Sequence, residues 1–192
     1  MRDRLPADWK TDLRDRHQLE ADVRNELADH PELTMLQCST ASTDRLDYQL
    51  VGPGARLLEV ELKAKRQVYR GWERYRPEVP EKDLLILDEL ALRKLVDAGR
   101  YAFLLVNDLP GDRWAVWSTH DLVMTPKARV TRRLSVGTGA VKGKVLLSFA
   151  DDASLFPCLP EAIDHIVETL RRIDSRWQDI APWPSPHRAS VS

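Results

Sequence analysis

The chain has 192 residues, 43% hydrophobic and 31% charged, enough for one soluble domain around a single core and too little for two. Its 29 basic and 30 acidic residues give a formal charge of -1, so no global positive excess marks a nucleic-acid binder and any such footprint has to be local. No run approaches the roughly 20 apolar residues of a membrane span, and the opening MRDRLPADWK is too charged for a secretory signal, so a cytoplasmic protein without a membrane partner is expected.

Residues 11–29 predict a helix, because Leu19, Val23 and Leu27 recur every fourth position and His30-Pro31 ends the run. LTMLQC (33–38) predicts a first strand. RLDYQLV (45–51) alternates Leu46, Tyr48 and Leu50 against Asp47, Gln49 and Val51. Gly52-Pro53-Gly54 then signals a turn into a further strand, so the two runs predict a hairpin or at least neighbouring strands. Pro80, Glu81 and Asp83 mark a helix start, and Gly99 its end after Val96. YAFLLVND (101–108) is nearly all apolar, the pattern of a strand covered on both faces, and RWAVWST after PGD predicts another. Loops and two short strands are expected over 125–149, around Gly137, Gly139 and Gly143, and an amphipathic helix over 159–177. A single domain over 1–180 follows, with the Pro- and Ser-rich 181–192 expected as a disordered tail. The order of elements predicts an α/β fold, a central mixed β-sheet flanked by α-helices.

Cys38 and Cys158 match no metal-ligand spacing, so buried reduced thiols are expected, and the five histidines are scattered. The most informative stretch is LLEVELKAK (57–65). Glu59, Glu61, Lys63 and Lys65 occupy every second position, with Leu58, Val60, Leu62 and Ala64 between them. That alternation predicts a half-buried strand with one face of two acids followed by two bases. Charge ladders on a solvated sheet face are one explanation; a metal site with a lysine beside it is the other. Asp47 and Glu61, on neighbouring strands and one face, supply two of the hard oxygens magnesium prefers, and Lys63 follows on the same face. Asp44 rivals Asp47 from a loop-side position, and Glu59 is either a supporting acid or a solvated one.

Asp47, with Glu61-Leu62-Lys63 fourteen positions on, in two adjacent strands joined by a turn, resembles the signature of the PD-(D/E)XK nuclease superfamily. This is the restriction-endonuclease-like fold of restriction enzymes, Holliday-junction resolvases and repair nucleases. The preceding helix with Glu20, the following helix and the strand YAFLLVND keep the family's element order over roughly residues 11–118. Leu46 stands where the signature has proline. The resemblance implies Asp47, Glu61 and the Leu62 carbonyl as ligands of magnesium, or manganese in its place, and Lys63 as the group that orients water and steadies developing negative charge. In resolvase-like relatives a glutamate on the first helix joins the metal site; Glu20 is that candidate, and it also reads as an ordinary helix-surface residue.

Beyond the motif, Arg66, Arg70 and Arg74 share one face if KRQVYRGWERYR is helical, with Gln67, Tyr69, Trp72 and Tyr75 around them, although Gly71 and Pro77 oppose a long helix. The stripe reads equally as a phosphate track and as solvated arginines over core aromatics. Some relatives carry a glutamine and a tyrosine after the lysine, roles open to Gln67 with Tyr69 or Tyr75. A second basic footprint is Arg129, Arg132, Arg133, Lys142 and Lys144; the glycines among them match no phosphate-loop fingerprint. The resemblance therefore implies a magnesium-dependent nuclease hydrolysing DNA in repair, restriction or mobile-element defence. DNA is the expected partner, RNA the other candidate, and a homodimer or partner subunit stays open. The competing expectations are a catalytically inactive nucleic-acid- or protein-binding member of the same fold, and a merely charged strand.

Overall fold

Helix α1 (Pro6–Asp29) leads into three antiparallel strands, β1 (Thr34–Cys38), β2 (Tyr48–Gly52) and β3 (Arg56–Lys65). The computed structural model describes residues 6–39, 45–72, 74–133, 141–151 and 153–178. The hairpin predicted from Gly52-Pro53-Gly54 is present: Tyr48 faces Val60, Gly52 faces Arg56, and a 3-10 turn over Pro53–Ala55 joins the strands. Gly54 has a φ of 68°, a left-handed position that favours glycine. After β3 come β4 (Leu84–Asp88), α2 (Glu89–Ala98), β5 (Ala102–Asp108), β6 (Arg113–Ser118), α3 (Thr119–Met124), β7 (Ala128–Arg133), β8 (Val141–Ser148), β9 (Ser154–Phe156) and α4 (Leu159–Gln178). The described strands form a six-stranded mixed sheet, β1-β2-β3-β5-β6-β9, and a three-stranded antiparallel sheet, β4-β8-β7. Among the described strands only β3 and β5 pair in parallel, and the crossover that such a pair requires carries α2. The protein is α/β, a mixed sheet with flanking helices, and no described helix is long and apolar enough to cross a membrane.

Three layers result. On one face of the large sheet Tyr48, Leu50, Leu58, Val60, Leu62, Phe103 and Leu105 pack against Val23 and Leu27 of α1 and Ile163, Ile166 and Val167 of α4. On the other face Leu104, Val106, Ala115 and Trp117 pack against Leu92 and Leu95 of α2, Leu122 of α3, and Leu87, Val145 and Leu147 of the small sheet. β5 serves both clusters, as its apolar run predicts. β3 serves only the first, so its other face, which holds Glu59, Glu61, Lys63 and Lys65, meets the second layer with charge where β5 meets it with leucine and valine.

The far end of that charged face is closed off from solvent. Lys65 and Asp108 are both fully buried, their charged atoms 3.2 Å apart. Arg113 donates to Asp108 at 2.9 Å and to Asp83 at 2.8 Å, while Lys65 also donates to the Lys82 carbonyl and stands 4.7 Å from the Phe149 ring centre. Burial lowers the Lys65 pKa and the Asp108 carboxylate opposes the shift. The network pins the end of β3 to β5, β6 and the segment entering β4.

Two expectations change. The helix expected from Pro80 to Val96 begins only at Glu89: Glu81–Asp83 is a 3-10 turn, and Leu84–Asp88 is strand β4, paired with β8 from Leu84 opposite Ser148 to Asp88 opposite Lys144. Leu84 and Leu85 serve different apolar clusters, the two faces of a buried strand, which an unbroken apolar run does not separate from helix. Both cysteines are free, but Cys38 is exposed because edge strand β1 turns its outer positions outward, and Cys158 is half-buried. Asp44, Gly137, Gly139 and the expected tail lie outside the described residues.

Helix α3 was not expected, and its six residues depend on a reciprocal cap. The Ser118 hydroxyl accepts from the Asp121 amide at 3.2 Å, and the Asp121 carboxylate accepts from the Ser118 amide at 3.0 Å. Ser118→Ala is expected to cost about 1 kcal/mol in a urea melt; a loss below a few tenths would mean that packing of Leu122 alone holds the helix.

Candidate functional site

The β2–β3 register places the two acids. Tyr48, the first residue of β2, faces Val60, and Asp47, just before the strand begins, brings its buried carboxylate close enough to Glu61 to feel its charge. The Asp47 Oδ2 accepts the Leu62 amide at 2.8 Å. Glu59 N–H bonds to the Tyr101 carbonyl on the β5 side, so by alternation the amide and carbonyl of Leu62 both point toward β2, which stops at Tyr48. Asp47 thus fills the place where a ladder partner is missing.

Glu61 is only 2% exposed, and each of its oxygens meets a lysine: Lys63 Nζ at 2.6 Å from Oε1 and Lys94 Nζ at 3.3 Å from Oε2. Lys94 reaches over from α2 and also donates to the Arg45 carbonyl at 2.7 Å. The Lys63 side chain is 36% exposed, so the cluster opens to solvent on that side. Asp47 is pushed up to about 6, first by burial and then by the Glu61 charge, against the pull of Lys63, the Leu62 amide and Lys94. Two carboxylates are held together under mutual repulsion, with a backbone carbonyl on the same edge.

This donor set suits a hard divalent cation, which takes one or two carboxylates and completes its shell with water and phosphate oxygens. Among the described residues no group of three or more His, Cys, Asp or Glu is poised as a metal cage, so an ion here would depend on those outer ligands. Neither a family model, nor a curated protein, nor a solved structure matches the chain.

The other expected residues divide. Glu20 bonds Arg16 on its own helix at 2.6 Å, and its backbone carbonyl accepts the Tyr48 hydroxyl at 3.0 Å. The structure joins it to neither acid. Glu59 accepts from Gln49 at 2.7 Å, two residues along the strand from Glu61. The described residues among 66–77 form no helix, so Arg66, Arg70 and Arg74 do not share a helical face: Gly71 takes a φ of 78°, its amide donates to Glu81, and Arg76 is buried against Glu78, Asp151 and the Pro126 carbonyl. Tyr69 and Trp72 pack on the cluster of Val79, Leu84 and Leu146, as core aromatics. Arg70, Gln67 and Tyr75 are exposed, and the Arg74 guanidinium stacks 4.6 Å from the Tyr75 ring centre. Arg132 and Arg133 lie on β7, opposite Lys142 and Val141 of β8, while Lys142 and Lys144 both pair with Asp88.

Sequence reasoning missed Lys94. It sits at the edge of the arc made by the buried Ala91, Leu92 and Leu95, a position from which a lysine ammonium can reach inward. A lysine three residues after a buried alanine was the available signal, and it is a weak one.

Proposed function

We propose that the chain is a divalent-metal-dependent nuclease of the restriction-endonuclease-like fold, acting on the phosphodiester bonds of DNA. The observation that carries this reading is the buried Asp47 carboxylate, held on the Leu62 amide beside the charge of Glu61, with Glu61 bridging Lys63 and Lys94. The sequence α1, three antiparallel strands, a crossover with α2 and a parallel β5 agrees with the fold that the signature implies.

In this reading Asp47, Glu61 and the Leu62 carbonyl hold magnesium, or manganese, which when bound neutralises phosphate charge and lowers the pKa of water. Lys63, partly exposed and fixed by Glu61, faces the phosphate and stabilises negative charge as it develops. Asp47 has to lose its proton before it can bind the ion, so activity should rise with pH through about 6. The test is incubation with supercoiled and linear DNA with and without magnesium; no cleavage of either, at any pH from about 5 to 9, would refute the proposal.

A second reading also has an observation behind it. Asp47, Glu61, Lys63 and Lys94 sum to zero charge, as a structural ion cluster in a binding module would, and the same assay separates the two. Nucleic-acid affinity itself should be local and electrostatic, residing in the exposed Arg70 and Arg74 and in the basic strands β7 and β8. Replacing Arg70 and Arg74 by Gln is expected to flatten the dependence of log affinity on log salt by about 0.9 per lost phosphate contact. An unchanged slope would move the footprint elsewhere.

A further inference from the structure

We propose that Lys94 is a second working lysine of this site, one that releases Glu61 to an incoming divalent cation and takes up a phosphate of the nucleic acid in exchange. The inference rests on the nuclease reading above and adds to it the residue that couples metal to substrate.

Four observations support the exchange. Both Glu61 oxygens already accept from ammonium groups, so a cation arriving at Glu61 competes with them for the carboxylate and is repelled by their charge. The Lys94 contact is the looser, 3.3 Å against 2.6 Å for Lys63, and Oε2 is therefore the oxygen more easily given up. Lys94 does not lose its footing when it lets go, because the Arg45 carbonyl at 2.7 Å still anchors the ammonium at the site. An ammonium has three donors, and only two have partners among the described residues, leaving one that can face an anion.

Charge counting gives the direction. The two acids and two lysines sum to zero, so a divalent cation alone leaves the pocket with two uncompensated positive charges. Each phosphodiester brings one negative charge. Cation and nucleic acid should therefore bind with positive coupling, each tightening the other by the same factor, and Lys94, freed from Glu61, is the group through which the coupling runs.

The test uses the full chain with Lys94→Met and Lys94→Arg, and calcium as the ion, since it takes oxygen ligands but is a poorer match than magnesium to a tight catalytic geometry. Calcium is titrated calorimetrically without nucleic acid, and affinity for a short DNA duplex is read by fluorescence anisotropy with calcium absent and saturating. Lys94→Met is expected to bind calcium about tenfold more tightly, because a repelling charge and a competitor for Glu61 are both gone. It should bind the duplex about tenfold more weakly when calcium is saturating, so that the coupling shrinks. Lys94→Arg, which can donate to both carboxylate and phosphate, should restore both values. If Lys94→Met lowers only the melting temperature and leaves both affinities at the wild-type level, Lys94 merely props the Arg45 carbonyl and the proposal fails, while magnesium-dependent cleavage by wild type would leave the nuclease reading standing. A wild type that binds neither calcium nor duplex removes both.

Discussion

Glu61→Gln is expected to abolish divalent-metal binding and cleavage together, while Lys63→Ala abolishes cleavage and spares the metal. Glu61 is the better buried acid and the center of the charge cluster; an amide in its place keeps its volume and can still accept one lysine, but offers the ion no charge. Alanine would be a poorer probe. The alternation in the sequence puts Glu61 on the charged face of a half-buried strand, whereas the structure buries it between two ammonium groups that truncation would leave without their carboxylate. Lys63 supplies no oxygen ligand. Removing its charge relieves repulsion of the ion, so metal affinity should hold or rise, and cleavage should fall by about 10²–10³ as developing charge loses its partner. Calorimetric titration and single-turnover cleavage on both variants give the answer. A Lys63→Ala protein that cleaves like wild type would return Lys63 to a purely structural role.

Asp47→Asn should make the metal-free protein more stable and functionless. The Asp47 carboxyl titrates near 6 in the fold against its ordinary 3.8, so the folded chain holds this proton more tightly than the unfolded one. Below about pH 4 both states are protonated and nothing is lost. Between there and pH 6 stability falls as the pH rises, and above 6 the full cost remains, about 3 kcal/mol at 1.36 kcal/mol per unit. Asparagine keeps an acceptor for the Leu62 amide and carries no charge. The variant should therefore match wild type near pH 4 and exceed it by up to about 3 kcal/mol near pH 8 in urea melts. A saturating divalent cation should stabilise wild type and leave the variant unmoved. A variant less stable than wild type near pH 8 would mean that Asp47 is already compensated by the lysines.

The charged alternation of residues 57–65 and the Gly52-Pro53-Gly54 turn made the hairpin legible, down to Tyr48 opposite Val60, because register follows from local chain order once a turn is fixed. What stayed hidden came from distant parts of the chain. Lys65 looks like a solvated base until Asp108, Arg113 and Phe149 close over it. Lys94 looks like a surface lysine until α2 is laid beside Glu61. Strand β4 merged into α2 in the sequence because no glycine or proline stands between Pro80 and Gly99, and only its pairing with β8 makes Leu84–Asp88 extended. The arginine stripe failed for the opposite reason: its spacing was right, and Gly71 broke the backbone that would have aligned it.

The two sheets are threaded through one another in the order of synthesis. The chain leaves the large sheet after β3 to lay down β4, returns for β5 and β6, leaves again for β7 and β8, and comes back for β9. Neither sheet can be cut out as a contiguous fragment. Their closure waits on partners far apart in sequence, since β4 finds β8 only after more than half a hundred residues, and such long-range pairing slows folding. Hydrogen exchange should accordingly report one cooperative opening that takes both sheets together. An ion held by Asp47 and Glu61 would then slow exchange as far away as β7, and a protease would find the chain either intact or wholly accessible.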